Sequence, residues 1–480
     1  MKNKKYFIIS FIIIIILCIV MTPIVFQNDT FYTIKIGELI FNKGIDMQDH
    51  FTIHNLPYTY PHWLYDLIIY LIYNIAGFTS LYIFNIFCFI TLITLIFYFN
   101  YKNNNSKFIA LVFSILSIFT LSFYIATRAQ VMSYLIFILE YIFITNYLKK
   151  ANIKYLIGLV LLSTLLCNMH VAVWPFFFII FLPFIAEYLL AIIFKKKTLF
   201  KFIEIDYNKN TKYLIITMLI CVIPGLLTPI HDTPFTYLIK TMQGNSQSFI
   251  KEHLPPSTPK KFILILFSFC TLVLSIIGKI KIHQLFLIMG LTLMAFTSDR
   301  HIALYTIFIF PIFAILIDNI FKKCNVNLDK YTLKYCFSKI GIGVISIILV
   351  LVIVVSIINN KDKVFIDPTS YPVDATKYIK NNLDYQNIRL MNEYNYGSYL
   401  LFNDIPVFID SRADLYTIEF NNYKDILTDY MTKSAYTVID EYKLTHIIAK
   451  KGENLYLSIS SSNNYRLLYE DEYFAIYEVI

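Results

Sequence analysis

The chain of 480 residues is 57% hydrophobic and only 15% charged, with a mean hydropathy of +0.61. Soluble domains lie nearer ~45–50% apolar, so this composition excludes a water-soluble globular protein and makes lipid the solvent for most of the chain. The formal net charge is +9, yet residues 359–480 hold 12 Lys/Arg against 18 Asp/Glu, so the positive excess sits in the apolar part. It falls mostly in short loops, as orientation signals do, and no nucleic-acid partner is expected.

Lys2, Lys4 and Lys5 precede an apolar run that lacks an A-x-A cleavage site, which reads as an uncleaved first span. Apolar runs able to cross ~30 Å of hydrocarbon fall near 6–26, 78–100, 108–127, 131–148, 155–170, 173–194, 213–230, 262–278, 282–298, 301–321 and 338–358. Residues 63–77 are apolar but short, with Asp66, Tyr70, Tyr73 and Asn74 on one helical stripe. If that segment lies in the interface, the inner loops hold 21 Lys/Arg and the outer loops 8; if it spans, the bias reverses to about 9 against 20. The positive-inside rule selects the interfacial helix, about 11 spans, a cytoplasmic N-terminus and a tail outside the cytoplasm. The seven cysteines, from Cys18 to Cys336, are scattered and offer neither a disulfide framework nor a C-x-x-C metal site.

The expected fold is thus an α-helical polytopic membrane domain over 1–358, including a first outer loop at 27–77, and a small extracytoplasmic α/β domain over 359–480. In the tail, the pattern predicts helices at 372–383, 396–402, 420–430 and 434–442. Strands are predicted at 387–391, 405–409, 444–449, 464–469 and 473–478. No G-x-G-x-x-G, no G-x-S-x-G and no metal-type spacing occurs there. Asp410-Ser411-Arg412-Ala413-Asp414 reads first as a strand-end turn closed by an Asp–Arg pair.

With this topology the inner connections carry lysine clusters, Lys149–Lys150, Lys195–Lys197 and Lys322–Lys323, whereas acids, histidines and arginines gather on the outer face. A reaction is expected there. The first outer loop is about 50 residues long, far beyond what joining two spans requires. Asp29 follows the first span directly, where a carboxylate can take a proton from an acceptor hydroxyl or hold a cation against a phosphate. It can equally stabilise the start of the following helix. Arg128 and Arg300 are the only arginines of the apolar part. Their rigid forks suit phosphate, with snorkelling or a pair with Asp299 as the plainer alternative. His170, in a tight outer turn, can add a donor. Glu140 and Glu187 fall within or near spans and have no assigned role. The Pro-rich outer segment from His231 to Lys261 reads as a lid or a static plug.

The layout of a first span, an immediate Asp, a long loop with two amphipathic helices, many further spans and an external α/β domain resembles the GT-C superfamily of glycosyltransferases. That superfamily includes oligosaccharyltransferases, protein mannosyltransferases and the enzymes that add aminoarabinose to lipid A. The likeness is closest over Asp29 to Gly44, Asp49-His50-Phe51-Thr52, His62-Trp63-Leu64 and Asn395-Tyr396-Gly397-Ser398-Tyr399-Leu400, with Phe408 to Asp414 resembling a bacterial subgroup. It implies a polyprenyl-phosphate sugar donor, a lipid, glycan or protein acceptor of the cell envelope, and inversion at the anomeric carbon. It also implies catalysis by Asp29 with Asp49, or Asp46, as second acid, Asp29 and Asp49 holding a divalent cation such as Mg or Mn where one is used. Arg128, Arg300, His170, His62, Trp63 and Glu38 are the expected substrate contacts. The family more often places an acid at His62 and a histidine at Thr33. Three other readings stay open: a polysaccharide polymerase or ligase of another membrane fold, which does not need Asp29; a transporter, which calls for internal repeats; and a non-catalytic membrane scaffold.

Overall fold

The computed structural model of the chain describes residues 2–104, 106–194, 198–200 and 202–480; the Lys195–Lys197 cluster lies outside them. The chain divides into two units, one of residues 1–23, 82–227 and 252–362, the other of 24–81, 228–251 and 363–480.

The first unit is helical and apolar. Among the described residues, seven helices are long and apolar enough to cross a membrane: Phe78–Asn103, Lys107–Tyr124, Ala129–Lys150, Val171–Phe194, Lys251–Gly278, Asp299–Lys323 and Lys339–Asn360. The other four expected runs also form apolar helices but shorter ones, at Tyr6–Met21 within α1 (Lys2–Met21), Ile153–Met169, Thr211–Leu226 and Ile282–Thr297. Every expected run is therefore helical, and the length criterion separates seven from the rest. Polar side chains inside the unit mostly bond the carbonyl four residues back on their own helix, as Ser114 does to Ala110 and Ser117 to Phe113, and a few bridge to a neighbouring helix. Trp174 Nε1 donates to Ser163 Oγ at 2.9 Å, and Ser163 Oγ donates to the Cys221 carbonyl at 2.8 Å. Asp318 and Asp329 accept the backbone N–H groups that open the Lys107–Leu121 helix, Ser106 N at 2.8 Å and Lys107 N at 2.7 Å. Helix Lys339–Asn360 has no buried side chain at all, so its apolar surface has lipid as its natural partner.

The second unit carries the first loop. Its helix α2 (Asn28–Lys43) opens with Asp29 in the first turn, where a carboxylate complements the helix dipole, and ends at Gly44 with φ of 82°. Helix α3 (Trp63–Ala76) has Asp66 in its first turn and stops at Gly77, φ 62°. The two pack with backbones in near contact at Gly37, where an added Cβ would lie 2.1 Å from the Asp66 carbonyl oxygen and 2.6 Å from the Tyr70 Cβ. Only a glycine fits there. Gly37→Ala is expected to push α2 and α3 apart and to cost about 1–3 kcal/mol by overpacking. A lowered thermal midpoint of the purified protein in detergent checks it; an unchanged midpoint would mean that the helices pack differently.

The tail forms a four-stranded sheet in the order Leu390–Met391, His446–Lys450, Phe474–Val479, Tyr465–Glu470, with the first pair parallel and the others antiparallel. Helices Val373–Asn382, Tyr394–Phe402 and Ala435–Glu441 fall where the pattern places them. Two expectations are corrected. Residues 405–409 are not a sheet strand: Asn392 takes the Phe408 N–H at 2.9 Å and donates to the Ile409 carbonyl at 2.6 Å. Val407 instead pairs with the first loop, donating to Phe51 O and accepting from Ile53 N, both at 3.1 Å. The helix expected at 420–430 is two, Ile418–Asn421 and Ile426–Thr432, because Asn422 turns left-handed (φ 55°) and Asp425 caps the second. Helix Asn454–Ser460 has no counterpart in the pattern.

Candidate functional site

Three residues of α2 at helical spacing, Asp29, Tyr32 and Thr33, share a face with the start of α3. His62, immediately before α3, and Asp66, one turn into it, meet that face. Both Asp66 oxygens lie against His62 Nδ1, at 2.8 and 2.9 Å. The Thr33 hydroxyl bonds the same carboxylate. On the other side of the ring, Nε2 faces the Tyr32 hydroxyl at 3.4 Å. Asp66 is fully buried, and the His62 side chain is 13% exposed. Asp29 is half-buried and close enough to act electrostatically on His62. Burial opposes a charge on the ring, but the Asp66 and Asp29 carboxylates outweigh it and raise the pKa of His62 above the ordinary histidine value.

Asp49, the expected second acid, is spent elsewhere. Its Oδ1 accepts Arg412 Nη1 at 2.6 Å, and its Oδ2 accepts Thr52 N and Oγ1 at 2.9 and 2.6 Å. Arg412 also grips Asp410, Nη2 to Oδ2 at 2.7 Å, where the Tyr416 hydroxyl adds a bond at 2.7 Å. The guanidinium lies over the rings of Tyr58 and Phe51, and its side chain is 4% exposed. The tail motif is therefore the Asp–Arg turn, extended by Asp49 into a buried triad. With both oxygens committed, Asp49 does not fit a cation shared with Asp29, and the Mg or Mn implied by the resemblance has no such pair here.

Glu38 forms an ion pair with Lys35 at 2.6 Å, and Lys35 also holds Asp404 at 2.6 Å. Trp63 opens α3, its N–H on the Tyr60 carbonyl at 3.2 Å. Asp414 accepts Tyr237 OH at 2.6 Å and Ser246 Oγ at 2.9 Å, which seats the segment expected as lid or plug on the tail over residues 237–246. His54 donates to or accepts from no acid; its Nε2 meets the Phe408 carbonyl at 2.8 Å. Burial, with the Arg389 and Lys424 charges adding to it, holds His54 down to about 4. The unfolded chain takes this proton near pH 6.5 and the folded one does not. The contribution of His54 is thus complete above that pH and is lost, by about 3 kcal/mol, as pH falls toward 4. A smaller loss of thermal stability between pH 7 and pH 4.5 in His54→Gln than in wild type is the expected result; equal losses would discard this account.

In the first unit, Arg128 Nη1 holds both Glu252 oxygens, at 2.6 and 2.7 Å. Arg300 Nη1 lies 2.6 Å from His253 Nε2. Asp299, a possible arginine partner by sequence, takes Lys260 at 2.8 Å instead. The two arginines thus bind adjacent residues of one segment. His170 is buried with Nδ1 at 2.7 Å from Ser133 Oγ, a contact that ties two helices together rather than one that faces a substrate.

Of the α2–α3 cluster, Tyr32 escaped the sequence reading, and Asp66 was noted there only as part of a helical stripe and not as a site residue. The signal for Asp66 was its place four residues after His62 in a helix, the spacing at which two side chains meet. Comparison with known protein families and with curated protein sequences finds no match.

Proposed function

We propose that this chain is a membrane glycosyltransferase of GT-C type. It moves a sugar from a polyprenyl-phosphate donor to a lipid, glycan or protein acceptor of the cell envelope, on the outer face of the plasma membrane. About 11 helices span, the N-terminus is cytoplasmic and the tail extracytoplasmic. The observation that supports this reading best is the α2–α3 face, where an acid placed directly after the first apolar helix sits beside a histidine locked by a buried carboxylate. A composition dominated by apolar helices sets the chemistry beside lipid-borne substrates.

In this mechanism the acceptor oxygen attacks the anomeric carbon as the bond from that carbon to the phosphate oxygen breaks, and the configuration inverts. The leaving phosphate keeps the electron pair. Asp29 takes the acceptor proton, the role for which its place at the head of α2 suits it. Arg128 and Arg300, read from the sequence as guanidinium forks for phosphate, rest within the first unit on Glu252 and His253. No step is routed through a metal ion.

The test is transfer of radiolabelled sugar from a panel of polyprenyl-phosphate sugars to envelope lipids, glycans and proteins, in membranes with the chain, without it, or with Asp29→Asn. Transfer that needs both the chain and Asp29 is expected. Equal labelling with and without the chain for every donor would overturn the reading.

A further inference from the structure

We propose that the cation of this site is the imidazolium of His62, held by Asp66, and that it takes the place a divalent metal holds in the chemistry implied by the resemblance. The inference rests on the glycosyltransferase reading and deepens it.

Two observations carry it. The first is stoichiometric. A leaving phosphate needs positive charge at the reacting end of the sugar, and both acids that could share a cation with Asp29 are engaged, Asp49 by Arg412 and Thr52 and Asp46 by His50, Gln48 and Tyr60. The second is geometric. His62 is gripped at Nδ1 by both oxygens of Asp66, which Thr33 fixes from α2. That leaves Nε2, on the Tyr32 side, as the nitrogen that can donate to a ligand.

The charged and titratable groups around the ring are Asp66 on α3, Asp29 and Tyr32 on α2, and Arg412 and Tyr58 nearby. The two carboxylates favour the protonated ring, the guanidinium opposes it, and the raised pKa reflects the balance. During transfer His62 keeps its proton and donates it as a hydrogen bond to the phosphate oxygen that departs with the bonding pair. The acceptor proton ends on Asp29. His62 is then a catalytic residue, and Asp66 a positioning residue acting through it.

The experiment measures sugar transfer against pH, with EDTA present, for wild type, His62→Gln, His62→Lys and Asp66→Asn, alongside the ¹³C-histidine NMR titration of the same detergent-solubilised proteins. Wild type is expected to transfer in EDTA and to lose activity as pH rises through the His62 pKa, above 6.5. Asp66→Asn should move that descending limb and the His62 resonance together to lower pH. His62→Gln should fall at least tenfold and lose the limb; His62→Lys, a permanent cation at these pH values, should recover part of the rate without it. Loss of transfer in EDTA with recovery on adding Mg would overturn the inference, as would a His62→Gln protein with wild-type rate and limb. Both outcomes leave the glycosyltransferase reading standing. Absence of transfer by wild type from every donor removes that reading and this inference with it.

Discussion

Arg412→Ala is expected to destabilise the unit built from the first loop and the tail by about 3–5 kcal/mol, the usual result of removing one partner from a buried ion pair. The substitution would strand Asp49 and Asp410, both under 5% exposed, as two like charges without a guanidinium between them. Domain stabilities lie at about 5–15 kcal/mol, so the loss is a large share of the whole. The measurement is the thermal midpoint in detergent, together with trypsin resistance of the tail. A control separates charge from packing. Asp49→Asn and Asp410→Asn combined with Arg412→Met remove the whole triad, and a neutral triad should recover most of the stability, because the desolvation of three charges disappears with their attraction. If Arg412→Ala melts within 0.5 kcal/mol of wild type, on the scale of an ordinary surface substitution, the triad does not hold the loop.

The second large effect belongs to Asp29→Asn, which should lower transfer by roughly 10²–10⁴, the range for loss of a general base. The change is nearly isosteric and sits in the first turn of α2, where the loss of a dipole interaction costs only about 0.3–1 kcal/mol. Fold and chemistry should therefore separate cleanly: a midpoint close to wild type with transfer almost gone. Equal transfer by mutant and wild type would leave Asp29 as a helix-opening residue and nothing more.

The apolar runs were readable because hydrocarbon imposes a length and a composition on anything that crosses it, and all eleven appear as helices. What stayed hidden was pairing across long stretches of chain. Residues 405–409 have every local mark of a strand, being apolar and buried, but their backbone partners are Phe51 and Ile53, more than 350 positions away, and the Asn392 side chain. Asp49 looked like an open acid for the same reason. Nothing near it in sequence announces Arg412. The α2–α3 cluster lies between these cases. Asp29 is legible from its place after the first span, and His62 with Asp66 from four-residue spacing, whereas the meeting of the two helices depends on a glycine at 37 whose role is visible only in three dimensions. Arg128 and Arg300 stood out as the only arginines among lysines, but their resting partners Glu252 and His253 could not be read from pattern.

The bond between Asp49 and Arg412 joins residues 363 positions apart. A ribosome adding about 5–20 residues per second needs roughly 20–70 s to travel that distance. For that interval the first loop has already been made while the half of its fold that seats it has not. Phe31, Tyr58 and Tyr60, all within 5% of full burial in the finished protein, are left exposed meanwhile. Biogenesis therefore confronts the cell with an unfinished segment that a holding chaperone or the membrane surface has to shelter. A nonsense codon between residues 361 and 412 would release a chain whose apolar helices are complete and whose first loop never acquires its shape.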